Sequence, residues 1–216
     1  MANRNQKQIV QQLLDLYGQT FAGELGLNLE KPTGSDLFGL LVFSMLGAKR
    51  IRHDAAMRAA KALHEAGYTS AQKMADATWE QRVKVLNTHG YARYDESTSR
   101  FLGETSLMLL EKYDGDLNNL RQAASNDPAR ERKLLKEFTG IGEVGVDIFF
   151  REAQVAWEEL YPFADPLALR AAATLGLGNS AQRLAKRVPR ADFARLVAAL
   201  VRAQLDGETE HIKHAA

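Results

Sequence analysis

Apolar residues recur at intervals of three and four along nearly the whole chain, and strict alternation never holds for long, so the pattern predicts helices and almost no strands. A first amphipathic helix is expected over about 6–18, with Ile9, Val10, Leu13, Leu14 and Tyr17 on one side. The stretch 21–34 reads as a loop broken at Lys31-Pro32-Thr33-Gly34, after which Ser35-Asp36 can cap a helix over 37–47. That helix is apolar on almost every face, which places it at the centre of a bundle. Further helices are expected over 54–66, from a Thr78 capping box to 88, over 94–113, 117–124, 128–138, 143–157, 166–175, 180–187 and 190–205. The last carries an apolar stripe of Phe193, Leu196, Val197, Leu200 and Val201. The fold class is therefore all-α.

Composition narrows the chemistry. The chain has 216 residues, is 45% hydrophobic and 25% charged, and has a net charge of +1, so affinity for a polyanion must come from a local patch. It has no cysteine, which excludes disulfides, thiolate catalysis and cysteine-ligated zinc or iron–sulfur clusters. The opening residues are polar with no signal-peptide core, and the apolar run 37–48 is too short to span a bilayer, so a cytoplasmic protein without membrane contact is expected. The densest basic cluster, Lys49-Arg50-Ile51-Arg52-His53, sits at a corner between two helices; it is either a solvated face or a contact for a phosphate backbone. His211 and His214 have no further ligands beside them and make a poor metal site.

Two features suggest a site. Gly140-Ile141-Gly142 lies between two helical patterns, where a tight turn would expose the N-terminus of the following helix, a place that suits an anion. The plainer reading is a helix–turn–helix corner with Ile141 plugging the core. Asp165-Pro166 opens another helix, where Asp is a good N-cap and Pro suits the first position.

Taken together, the stretch 134–170 resembles the helix-hairpin-helix and Gly/Pro-Asp signature of the endonuclease III superfamily of DNA glycosylases. Phe138-Thr139-Gly140-Ile141-Gly142 matches the hairpin, Asp165 matches the Asp that ends the following loop, and Arg170 also matches. The likeness extends over about 35–205. It implies two helical lobes, one of residues 34–156 and one of 1–33 with 157–216, with duplex DNA bound across a cleft between them. It implies a hairpin of Gly140, Ile141, Gly142 and Gly145 on the DNA backbone, with Lys49, Arg50 and Arg52 approaching the duplex. Lys49 stands where the family often has a Gln that fills the hole left by a flipped base. Tyr91, after Gly90, stands where an apolar wedge enters the duplex, although it can equally pack over a helix end.

Asp165 is implied as the catalytic carboxylate, stabilising charge on the sugar and directing water. Bifunctional members carry a Schiff-base Lys at the position of Val144, which has no amine. The resemblance therefore implies a monofunctional DNA glycosylase of base excision repair, acting as a monomer on a damaged base in double-stranded DNA. It implies no iron–sulfur cluster or other cofactor, with a monovalent cation on the hairpin carbonyls as an option. Glu143 opposes DNA there, offset by Arg151, Lys49, Arg50 and Arg52. Lys136 and Arg151 are the nearest basic residues to the hairpin along the chain, and neither holds the family position. Trp157, Tyr161, Phe149 and Phe150 are either core or stacking surfaces, leaning towards an alkylated or otherwise damaged purine. A non-catalytic binder of distorted DNA and a glycosylase/AP lyase with a relocated amine are the competing readings.

Overall fold

A computed structural model describes residues 2–215 of the chain, with side chains from 5 to 214. Every regular element among them is helical. In order these are α1 (Ala2–Tyr17), α2 (Phe21–Glu24), α3 (Gly34–Gly47), α4 (His53–Glu65), α5 (Ala71–Asp76) and α6 (Trp79–Leu86), then a kinked segment Asn87–Tyr91 whose backbone leaves the helical region at His89 and Gly90. There follow α7 (Asp95–Tyr113), α8 (Leu117–Ala123), α9 (Pro128–Leu135), α10 (Glu143–Ala153), a 3-10 turn Glu158–Leu160, α11 (Pro166–Thr174), α12 (Ala181–Ala185), α13 (Arg190–Leu205) and α14 (Thr209–Ala215). No helix among the described residues is long and apolar enough to cross a membrane.

The chain divides into two compact units, residues 25–149 and residues 1–24 with 150–216. The junctions expected at 34 and 156 therefore fall earlier, the second of them inside α10. Local packing explains both shifts. Leu27 and Leu29 are buried, and Leu27 lies where a side chain on Gly39 of α3 would go, so this stretch belongs with α3. Glu152 accepts a hydrogen bond from the Ala22 N–H, and Arg151 lies over the Phe21 ring, so the end of α10 belongs with α2.

In the 25–149 unit, α3 is the central helix, with Leu37, Leu40, Met45 and Leu46 wholly buried. Its N-cap is Thr33 rather than Ser35. Asp36, at the third helical position, returns bonds to the Thr33 backbone and side chain, and this reciprocal box outcompetes a cap two residues later. Ser35 instead donates to the Thr69 carbonyl. The Thr78 box on α6 forms as the sequence suggests. Arg82 of α6 ties three elements together. Its guanidinium is buried and donates to the carbonyls of Met74 at 2.9 Å, Ala77 at 2.6 Å and Ser99 at 3.0 Å. Gly103 of α7 makes room for it, since a Cβ there would lie 2.7 Å from Nη2.

In the other unit α13 packs against α1 and α11, and Phe193, Leu196, Val197, Leu200 and Val201 form the buried stripe the periodicity predicts. Phe21 and Ala22 are buried in the short α2, so part of the stretch read as loop is helical. Helix α10 stops at Ala153, before the expected end at Trp157. The Gln154 side chain takes over there, exchanging bonds of 2.9 Å in both directions with the Phe163 backbone and so bending the chain towards Asp165.

Arg82→Met should destabilise the protein by about 3 kcal/mol, because three carbonyls lose a charged donor inside the core. Urea denaturation measures this; a loss below about 1 kcal/mol would mean that water replaces the guanidinium at little cost.

Candidate functional site

The hairpin of the 25–149 unit is built as the glycine spacing suggests. Gly140 has φ +88, a conformation that L side chains rarely adopt, and a Cβ on it would lie 2.8 Å from Cδ2 of Phe101. Both facts require glycine. The Phe138 carbonyl accepts from the Ile141 N–H at 3.0 Å, and the Thr139 carbonyl accepts from the Thr105 hydroxyl at 3.1 Å. Both carbonyls thus already accept one hydrogen bond each.

Only part of the hairpin faces solvent. Gly142, Glu143 and Val144 are exposed at the first turn of α10, with Val144 59% exposed. Ile141 is buried, so its side chain is the core plug of the plainer reading and only its backbone remains available to a ligand. Gly145 is a close-packing position, and like Ile141 it has only its backbone to offer a ligand. It is buried, and a Cβ there would touch Ile141 at 3.4 Å and the Ser44 carbonyl at 3.6 Å.

Glu143 is offset differently from the expectation. The Lys136 ammonium and Arg132 Nη1, the latter at 2.8 Å, both bond its carboxylate from α9 and the turn after it, and they hold its pKa below the usual glutamate value. Arg132 also reaches Asp147 at 2.8 Å. Arg151 is buried elsewhere and does not serve here.

Around the basic corner, Lys49 is half-buried with its ammonium 4.9 Å from the centre of the Phe101 ring. Arg50 is exposed. Arg52 is also exposed but is engaged by Asp54 at 3.1 Å. Asp54 is held down to about 2 by hydrogen bonds from Arg58 and then Arg52, so this pairing persists throughout the neutral range.

Tyr91 is corrected from a wedge to a core residue. It is wholly buried, its hydroxyl donates to the Leu46 carbonyl at 2.8 Å, and burial raises its pKa. Gly90, with φ +84, turns the chain so that the ring points inward at the end of the kinked segment. What this loop exposes is Asn87, Thr88, His89, Gly90, Ala92 and Arg93.

In the other unit, Asp165 caps α11 as the Asp-Pro pair suggests. Its Oδ1 accepts from the N–H groups of Leu167 at 2.8 Å and Ala168 at 3.0 Å. Its Oδ2 accepts from Arg151 Nη1 at 3.0 Å. Arg151 bonds Glu152 at 3.1 Å as well, and both partners are almost fully buried. The carboxylate is thus fixed by three donors and keeps one lone pair on Oδ2 for a further one. Sequence reasoning did not pair Arg151 with Asp165, because the two lie on different elements and nothing in the chain marks their approach. Arg170 is exposed. Trp157, Phe149 and Phe150 are core residues at 0%, 1% and 2% exposure. Tyr161 is half-buried, set edge-on to Phe193 with Arg190 over its ring. Among the described residues there is no cluster of three or more side chains suited to a metal ion.

Two measurements test this description. Arg151→Met should cost about 3–5 kcal/mol in urea denaturation, since it strands buried carboxylates, and adding Asp165→Asn should recover part of the loss; strictly additive losses would mean that the pair is not coupled. The Asp54 carboxyl should titrate near pH 2 by NMR. Because its folded value lies below its ordinary 3.8, its stabilising contribution is complete above about pH 4 and disappears as pH falls through 2. A midpoint near 3.8 would show that the arginines do not engage it in solution.

No family model matches the chain, and no curated protein matches it. Among solved structures it is similar to endonuclease III held with DNA as a trapped covalent intermediate, an estranged-adenine complex. The two are 17% identical, the match covers 76% of this chain and 71% of that one, and the TM-score is 0.48.

Proposed function

We propose that this chain is a monofunctional DNA N-glycosylase of base excision repair, which removes a damaged base from duplex DNA with water as the nucleophile. The observation that carries the reading is the Asp165 carboxylate, oriented at the start of α11 by two amide N–H groups and the Arg151 guanidinium. Breaking the N-glycosidic bond sends its electron pair to the departing base and leaves positive charge on the sugar. An oriented carboxylate beside that carbon stabilises the charge and accepts a proton from the attacking water through its remaining lone pair. The base must first leave the duplex stack. The hairpin of Gly140 to Gly142 is assigned to the DNA backbone. Val144, exposed where a Schiff-base amine would stand, supports a water-dependent rather than a lyase mechanism. The reading includes no bound cofactor and a monomeric protein. With Trp157, Phe149 and Phe150 in the core, Tyr161 is what remains of the aromatic argument for a damaged purine.

One observation favours a second reading, a non-catalytic binder of distorted DNA. Arg151 places a cation 3.0 Å from Oδ2, and a fixed positive charge there opposes the charge that develops on the sugar.

Base release from duplexes carrying alkylated purines, oxidised purines, oxidised pyrimidines or uracil, with and without hot alkali, separates these. The expected result is a product seen only after alkali, lost at least a hundredfold in Asp165→Asn with DNA affinity retained. Strand cleavage without alkali, trapped by borohydride, would reveal a relocated amine. Binding without any release would establish the non-catalytic reading.

A further inference from the structure

Three cations in the 25–149 unit share a construction that the sequence does not display, and a fourth, Arg50, lies beside it. Lys49 and Arg100 both lie against the Phe101 ring, at 4.9 and 5.0 Å from its centre. Phe101 is also the side chain that closes on Gly140, so this ring, flanked by two cations, forms a wall of the hairpin. A second aromatic repeats the arrangement nearby. The Tyr94 hydroxyl lies 3.5 Å from the Arg50 carbonyl, and the Arg93 guanidinium sits 5.3 Å from the centre of the Tyr94 ring. Among the described residues Lys49, Arg50 and Arg93 form no ion pair, and Arg100 has only a loose, exposed contact of 3.7 Å with Glu104. Arg52 differs, being bound at 3.1 Å by Asp54, which also holds Arg58 at 2.9 Å.

We propose that Lys49, Arg50, Arg93 and Arg100 form a strip that neutralises successive phosphates of duplex DNA alongside the hairpin, and that Arg52 lies outside it. The inference rests on the DNA-binding reading above and deepens it by assigning Arg93 and Arg100 to the interface. Aromatic shelves suit this work. They hold three of the cations near fixed positions by contact with ring faces, so less side-chain freedom is lost when a phosphate binds. Each cation that meets a phosphate releases condensed counterions, which makes binding steeply salt-dependent whatever the base sequence.

The test is fluorescence anisotropy of the full-length chain on an undamaged duplex across a KCl series. For each phosphate that a variant no longer neutralises, the slope of log affinity against log salt should become shallower by about 0.9. Arg93→Gln with Arg100→Gln is therefore expected to flatten it by about 2 and to weaken low-salt binding at least tenfold, with Lys49→Gln flattening it further and Arg52→Gln leaving it unchanged. An unchanged slope in the Arg93/Arg100 double variant overturns the strip while leaving DNA binding intact. Equal effects of Arg52→Gln and Arg93→Gln overturn the distinction between them and return the interface to the corner as a whole. Absence of salt-dependent DNA affinity in the unaltered chain overturns both the strip and the function on which it rests.

Discussion

The close approach of Phe101 to Gly140 is the constraint on which the organised surface of the 25–149 unit depends. Backbone and ring meet where no Cβ fits, and the same glycine takes a φ of +88 that other residues avoid. That approach lets the chain turn within a few residues from α9 into α10. It also sets the ring on which Lys49 and Arg100 rest. Hairpin and basic surface are thus two sides of one packing event. Ile141 and Gly145 complete it from within, one filling the space beneath the turn and the other leaving room for it.

The second unit has a different organising interaction. A guanidinium buried between two carboxylates is costly to assemble and more costly to leave incomplete. Arg151 bridges Asp165 and Glu152, Glu152 anchors the Ala22 N–H, and the Phe21 ring has Arg151 at 4.6 Å and Arg202 at 4.0 Å. The loop that delivers Asp165 is bent by Gln154, so the carboxylate is fixed from both ends. This rigidity serves a catalytic group, which gains from preorganisation, and it equally describes a structural cap.

Much of the fold was legible because helical periodicity reports burial directly. The all-apolar face of α3, the stripe on α13 and the Thr78 capping box follow from residue spacing alone. The cap of α3 is displaced to Thr33 because Asp36 completes a reciprocal box that a two-residue reading of Ser35-Asp36 overlooks. The site was less legible for a physical reason. Sequence shows that Gly90 precedes a tyrosine but not on which side of the backbone the ring will lie, and Tyr91 lies inside. It shows basic residues but not which carboxylates neutralise them, so Arg52 and Arg93 look alike until Asp54 is placed. Pairings such as Arg151 with Asp165 arise from tertiary approach and leave no periodic trace.

The inward Tyr91 has an effect at a distance. Its hydroxyl donates to the Leu46 carbonyl in the last turn of α3, a carbonyl that the Lys49 N–H also reaches at 3.4 Å, at the point where the chain leaves for Lys49. The kinked loop is therefore tied to the end of a helix far from it in sequence, and loop and corner are mechanically joined. The ring is thus a pin between the two, and its removal would be read out as disorder around Lys49.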